Sequence, residues 1–147
     1  MKTTETFEHI LVPYNGCAGS QKSFKKAIGL AKVIEAKITI LTCLEDRSTF
    51  GLFKSKTDKK ELEKERKIVE REHLKLEKDA EKHNVLLNFK IIKSNEPAHT
   101  ILEYAEKHNI DLIVMGMRHK TKYEKMHYPS TIQDVSKNFD GAILILN

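Results

Sequence analysis

The sequence predicts an α/β fold, a parallel sheet of five strands with helices on both faces. Three observations carry this. Apolar runs alternate with segments of helical periodicity in the order β-α-β-α-β-α-β-α-β, and such alternation implies a parallel sheet. The fourth run, residues 111–115, is apolar after its opening aspartate, as expected for a strand buried on both faces. Turn-forming residues punctuate the boundaries: Pro13, Gly16, Pro97, Asn109 and Gly141. Right-handed crossovers leave few topologies. In the strand order 3-2-1-4-5, the loops at residues 13–20 and 116–130 meet at the switch point beyond the strands' carboxyl ends, where such sheets hold ligands.

Residues 10–14 form the first strand, which ends near Pro13 because proline removes a ladder donor. A turn over residues 15–20 follows, with Ser20 as the expected N-cap. Phe24, Ala27, Ile28, Ala31 and Ile34 recur at helical spacing, giving a helix over residues 21–35. Residues 37–44 alternate as a second strand. Residues 45–58 have no clear period; Phe50 and Phe53 suit a flap, a contact patch or a loop packed on its own aromatics. Residues 59–83 form a long charged helix with a thin apolar stripe of Leu62, Val69, Leu76 and Ala80. Residues 86–92 make a third strand. A helix then starts at Pro97, where the missing N–H costs nothing. Ala98, Ile101, Leu102 and Ala105 make its inner face, and Asn109 closes it. The last helix spans residues 130–137, and Ala142 to Leu146 form the final strand.

The chain has 147 residues, the size of a single domain over residues 1–147. At 39% apolar and 32% charged, it suits a soluble, cytoplasmic protein. No apolar run approaches the roughly 20 residues that span a bilayer, and the opening MKTTETFEH has no apolar centre of a secretory signal. A net charge of +5 admits acidic partners. However, much of the lysine lies in residues 54–82 among offsetting glutamates, and no nucleic-acid module appears. We therefore expect neither nucleic-acid nor membrane binding.

The most informative stretch is residues 111–131, DLIVMGMRHKTKYEKMHYPST. A strand stops at Gly116. A basic loop follows with Arg118, His119 and Lys120, and Ser130 and Thr131 open a helix. Strand, glycine, loop and helix N-terminus is how α/β proteins hold phosphates.

These features resemble the universal stress protein family over nearly the whole chain. ILVPYNG at residues 10–16 resembles the family's ILVPxDGS opening, NEP at 95–97 its G-x-P-x-x-x-I segment, and DLIVMG at 111–116 its fourth strand. The resemblance implies a Rossmann-like α/β sandwich of the adenine nucleotide alpha hydrolase type, often dimeric through the last strand. Many members bind ATP through G-x-x-G, nine residues, then G-S/T. Here Gly116 is the first glycine, but His119 and Pro129 replace the next two, and Ser130 is the hydroxyl residue. The family's nucleoside-contacting aspartate, two residues after Pro13, is Asn15. Cys43 falls where a strand-two backbone meets adenine.

Two readings follow. In one, ATP binding is weak or lost, and the protein is a dimeric regulatory module acting on an unidentified protein partner. In the other, it is a nucleotide-binding stress switch. Its pocket then takes ATP or AMP, with magnesium, using Pro13, Asn15, Cys43, Gly116, Ser130 and Thr131, while Arg118, His119 and Lys120 replace the lost backbone amides. We favour the first, because Pro129 cannot donate and His119 carries a side chain where the backbone must approach phosphate. No nucleophile–base pair, GxxxxGK[ST] loop or metal-binding helix points to catalysis. Cys17 and Cys43 could form a reversible redox pair, though two ordinary thiols are the simpler reading. His119 and His127 fit no standard metal spacing. His9, His73, His83, His99 and His108 read as surface residues. The apolar strand Ala142–Leu146 is expected to pair with a second copy of the chain.

Overall fold

A computed structural model describes residues 6–44, 56–117 and 130–147. The elements are β1 (His9–Pro13), α1 (Ala18–Ile34), β2 (Lys37–Leu44), α2 (Lys56–Lys82), β3 (Leu87–Lys93), α3 (Pro97–Lys107), β4 (Leu112–Gly116), α4 (Ser130–Asn138) and β5 (Ala142–Leu146). The strands form one five-stranded sheet in the order β3-β2-β1-β4-β5, and every neighbouring pair is parallel. The order and the alternation are those expected from sequence.

Alternate residues of the central strands feed two cores. Ile10, Val12, Leu112 and Val114 pack on Phe24, Ala27 and Ala31 of α1 and on Ala80 of α2. Leu11, Ile113 and Met115 face the other way, onto Ile101 and Ala105 of α3 and Ile132 and Val135 of α4. Both faces are therefore covered, which is why β4 has no polar alternation. Asp111 anchors the bottom of the central pair. Its carboxylate accepts from the Glu8 N–H at 2.8 Å and the His9 N–H at 3.0 Å, fixing the register at which β1 enters beside β4.

Element boundaries moved where local hydrogen bonding overrode propensity. Helix α1 begins at Ala18 with Cys17 as N-cap, not at residue 21 with Ser20 as N-cap. The Ser20 hydroxyl lies inside the first turn, 3.0 Å from both the Cys17 carbonyl and Asn15 Oδ1. It ties the helix to the preceding loop instead of capping it. Asn109 closes α3 as expected, with a left-handed φ of 54° that asparagine tolerates better than most residues. Residues 45–55, which include Phe50 and Phe53, lie outside the described set.

Two histidines expected at the surface are buried. His9 Nε2 lies 2.6 Å from Thr39 Oγ1. His73 Nε2 lies 3.0 Å from Thr42 Oγ1, and its ring stacks on Phe89 with centroids 4.9 Å apart. The reason is shared. Thr39 and Thr42 are both buried on β2, and a buried hydroxyl needs a partner. Burial holds both imidazoles below their ordinary pKa; Lys37 adds to this at His9, against a smaller opposing pull from the His108 backbone and Asp111. His73, Leu76 and Ala80 lie on the face of α2 turned toward the sheet. No helix among the described residues is long and apolar enough to cross a membrane.

Candidate functional site

The site forms where β1 leaves its two neighbours. Backbone bonds fix which way each residue of β1 points. The Asp111 N–H donates to the His9 carbonyl and the Tyr14 N–H to the Leu41 carbonyl, so odd-numbered residues face β4 and even-numbered ones face β2. After Leu11, the next donor toward β4 would be residue 13. That residue is proline and has no N–H. The β1–β4 ladder accordingly ends at Leu11↔Ile113, although β4 continues to Gly116. On the other side β1 ends at Pro13, while β2 runs on through Cys43 to Leu44. In β2 the Ile38 N–H and the Leu44 carbonyl bond toward β3, and the Lys37 N–H and Leu41 carbonyl toward β1. By the same alternation, the N–H and carbonyl of Cys43 point to the β1 side, past the end of that strand.

A pocket of about 460 Å³ opens in this gap, within the range of roughly 300–1,000 Å³ usual for small-molecule sites. Pro13, Asn15, Cys43, Gly116 and Thr131 line it, so five residues proposed from sequence converge. Ser130 is the first residue of α4; its side chain is outside the described set, as are Arg118, His119, Lys120, His127 and Pro129. The lining also includes Tyr14, Cys17, Ser20, Ser94 and Pro97, which sequence reasoning did not assign. Their signal was topological. All loops that follow strands in a parallel sheet emerge at one edge, so the turn after β3 reaches the same rim.

Gly116 has a structural duty here. A Cβ at this position would run into the Gly19 carbonyl, and one at Gly19 would meet the Met117 carbonyl. The two glycines let the first turn of α1 lie directly on the end of β4. Gly116 itself lines the pocket.

The polar chemistry centres on the loop after β1. Gly16 adopts a φ of +82°, open to glycine without strain. The turn carries the chain back so that the Cys17 N–H donates to Asn15 Oδ1 at 3.0 Å. A backbone N–H can only donate, so this bond identifies the amide oxygen. The Ser20 hydroxyl also lies 3.0 Å from that oxygen, leaving the Asn15 Nδ2 amide as the end of the side chain without a hydrogen bond among the described residues. Tyr14 is buried and pushed up to about 12, first by burial and then by Glu72, which also accepts its hydrogen bond. It therefore stays a neutral donor that ties this loop to α2. Cys17 and Cys43 both stand as thiols, and burial pushes Cys43 up to about 11, a poor nucleophile at neutral pH. No charged side chain is among the described residues lining the pocket. The arrangement suits binding by hydrogen bonds and apolar contact.

A doubly wound parallel sheet with a ligand-sized crevice at its switch point defines a Rossmann-like α/β protein. The universal stress protein family model matches residues 6–147, and the chain belongs to that family. It is 28% identical over 140 residues to a universal stress protein of Methanocaldococcus jannaschii, covering 95% of this chain and 82% of the relative. Among solved structures it resembles UspA of Lactobacillus plantarum, with a TM-score of 0.81 at 21% identity over 96% of this chain and 98% of that one. It also resembles the Archaeoglobus fulgidus universal stress protein in complex with dAMP, with a TM-score of 0.65 at 12% identity over 97% and 98% of the two chains. A universal stress protein in complex with cAMP superposes with a TM-score of 0.68 at 14% identity, covering 96% and 97%.

Proposed function

We propose that this chain is a dimeric stress-response regulatory module whose switch-point pocket binds ATP only weakly. The observation that carries this is the state of Asn15. An aspartate here would spend one carboxylate oxygen on the Cys17 N–H and offer the other to a ribose hydroxyl. Asn15 has a single oxygen with two lone pairs, and both the Cys17 N–H and the Ser20 hydroxyl lie 3.0 Å from it; the other end of its side chain is a donor. The acceptor for the nucleoside is gone, and the replacement of two loop glycines by His119 and Pro129 weakens the phosphate end as well. Calorimetric titration with Mg-ATP tests the reading. We expect binding weaker than about 100 μM, some 5–6 kcal/mol; a tighter complex overturns it.

The base-binding end supports the competing reading. The Cys43 backbone faces the pocket, and two structural relatives are complexes with adenine nucleotides, dAMP and cAMP. In that reading Arg118, His119 and Lys120 supply by side-chain charge what the missing glycines supplied by backbone, and ATP or AMP binds with magnesium.

For the dimer, the support is β5. It is an edge strand on which Leu144 and Ile145 are 36% and 39% exposed. An apolar edge with unpaired backbone groups invites pairing unless it is covered, and a two-fold partner offering its own β5 covers both copies at once.

A further inference from the structure

We infer that the pocket selects adenine nucleotides phosphorylated on the ribose, at the 2′ or 3′ oxygen, over nucleotides phosphorylated only at the 5′ end. The inference rests on the proposed reading that a nucleoside would lay its ribose against residue 15, and it names the ligand that such a pocket takes. The polarity of one atom carries it. The backbone N–H of Cys17 fixes Asn15 Oδ1 as an internal acceptor. The amide therefore presents Nδ2 outward, on an exposed side chain at the rim of the pocket.

A carboxylate in that place accepts from ribose hydroxyls and repels a phosphate attached to them. An amide nitrogen does the reverse. It cannot accept a hydroxyl proton, and it donates readily to phosphate oxygens. Dinucleotide-binding α/β proteins read the ribose in a related way: an acidic residue bonds a free ribose hydroxyl, and a nearby arginine accommodates a ribose phosphate. The surroundings agree. No carboxylate is among the described residues lining the pocket; Glu72, beside the loop, packs on Gly16 and is engaged by Tyr14. Thr131, which also lines the pocket, adds a hydroxyl able to donate.

Adenosine 3′-phosphate and adenosine 5′-phosphate are the fitting probes, because they share base, sugar, formula and charge. Calorimetry on the full chain should show the 3′ isomer binding at least tenfold tighter than the 5′ isomer. Asn15→Asp, a nearly isosteric change that keeps the acceptor for the Cys17 N–H, should reverse the order. Far-ultraviolet circular dichroism checks that the variant is folded, and Asn15→Ser, which removes the donor amide without adding charge, should erase the preference. Equal binding of the two isomers, a 5′ preference in the native chain, or no 3′ binding at millimolar ligand would each overturn the inference. Mg-ATP binding tighter than about 100 μM alongside a tenfold 3′ preference would instead overturn only the weak-ATP reading and leave this one standing.

Discussion

Replacing Gly116 by alanine should damage the fold more than any other single-methyl addition on α1 or β4. The added Cβ points at the Gly19 carbonyl. The obstacle is backbone, so no rotamer change relieves it. Restoring ordinary van der Waals contact requires the first turn of α1 and the end of β4 to separate by more than about one ångström, in an interior packed as densely as a crystal. Overpacking through flexible side chains is destabilising by about 1–3 kcal/mol. A backbone clash belongs at the top of that range, so we expect about 3 kcal/mol. For a chain of this length that lowers Tm by about 6–12 °C. Gly29 provides the control. It also lies in α1, but a Cβ there meets nothing within 4 Å, so Gly29→Ala should stabilise by about 0.5–1 kcal/mol through helix propensity. Thermal and urea unfolding of the two variants provide the readout. If Gly116→Ala falls within about 1 kcal/mol of the native chain, or Gly29→Ala is equally harmful, the close-approach argument is wrong.

Stability should fall on mild acidification. His9 and His73 both have folded pKa values below the ordinary 6.5, so the unfolded chain binds protons first. The stability they favour is present above 6.5 and is lost as the pH drops through the lowered folded values. Urea midpoints between pH 7.5 and 5 should show this, and His73→Gln should flatten the dependence. At pH 8, iodoacetamide followed by mass spectrometry should label Cys17 well before Cys43, whose pKa of about 11 leaves little thiolate; equal rates would contradict the burial of Cys43. Ile145→Lys on the exposed edge of β5 should convert a dimer to a monomer in sedimentation velocity, and a native chain that is already monomeric at micromolar concentration would refute the pairing proposal.

Much of the fold was legible because its signals are strong and local. The apolar run of β4 and the proline opening α3 announce themselves in single residues, and β5 spans the residues expected. The buried histidines were legible in principle. His73 falls between Val69 and Leu76 on the helical stripe that also includes Ala80, and Thr39 and Thr42 sit on a strand covered on both faces, where each hydroxyl demands a partner. The start of α1 was not legible in the same way. Ser20 has the chemistry of an N-cap, and only the three-dimensional return of the chain at Gly16 brings it to Asn15 Oδ1 and places it inside the helix. In the site, the change from aspartate to asparagine could be read from sequence, but not its consequence. Whether such an amide offers oxygen or nitrogen depends on which backbone N–H stands beside it, here that of Cys17. Gly19 falls in an expected turn, and its role emerges only against Gly116, 97 positions further along the chain.

The proline at residue 13 has a consequence for how such a protein changes over time. The crevice exists because a main-chain donor is missing at one point in the sheet and because two glycines bring a helix onto a strand end. None of these features depends on the side chains of Asn15, Cys17 or Thr131 that line the pocket. Specificity can therefore drift residue by residue while the hollow persists, since substituting Asn15, Cys17 or Thr131 leaves the ladder and the two cores untouched. The same separation recommends the chain as a scaffold: its rim can be redesigned for new small molecules with little penalty to folding, provided Pro13, Gly19 and Gly116 are kept.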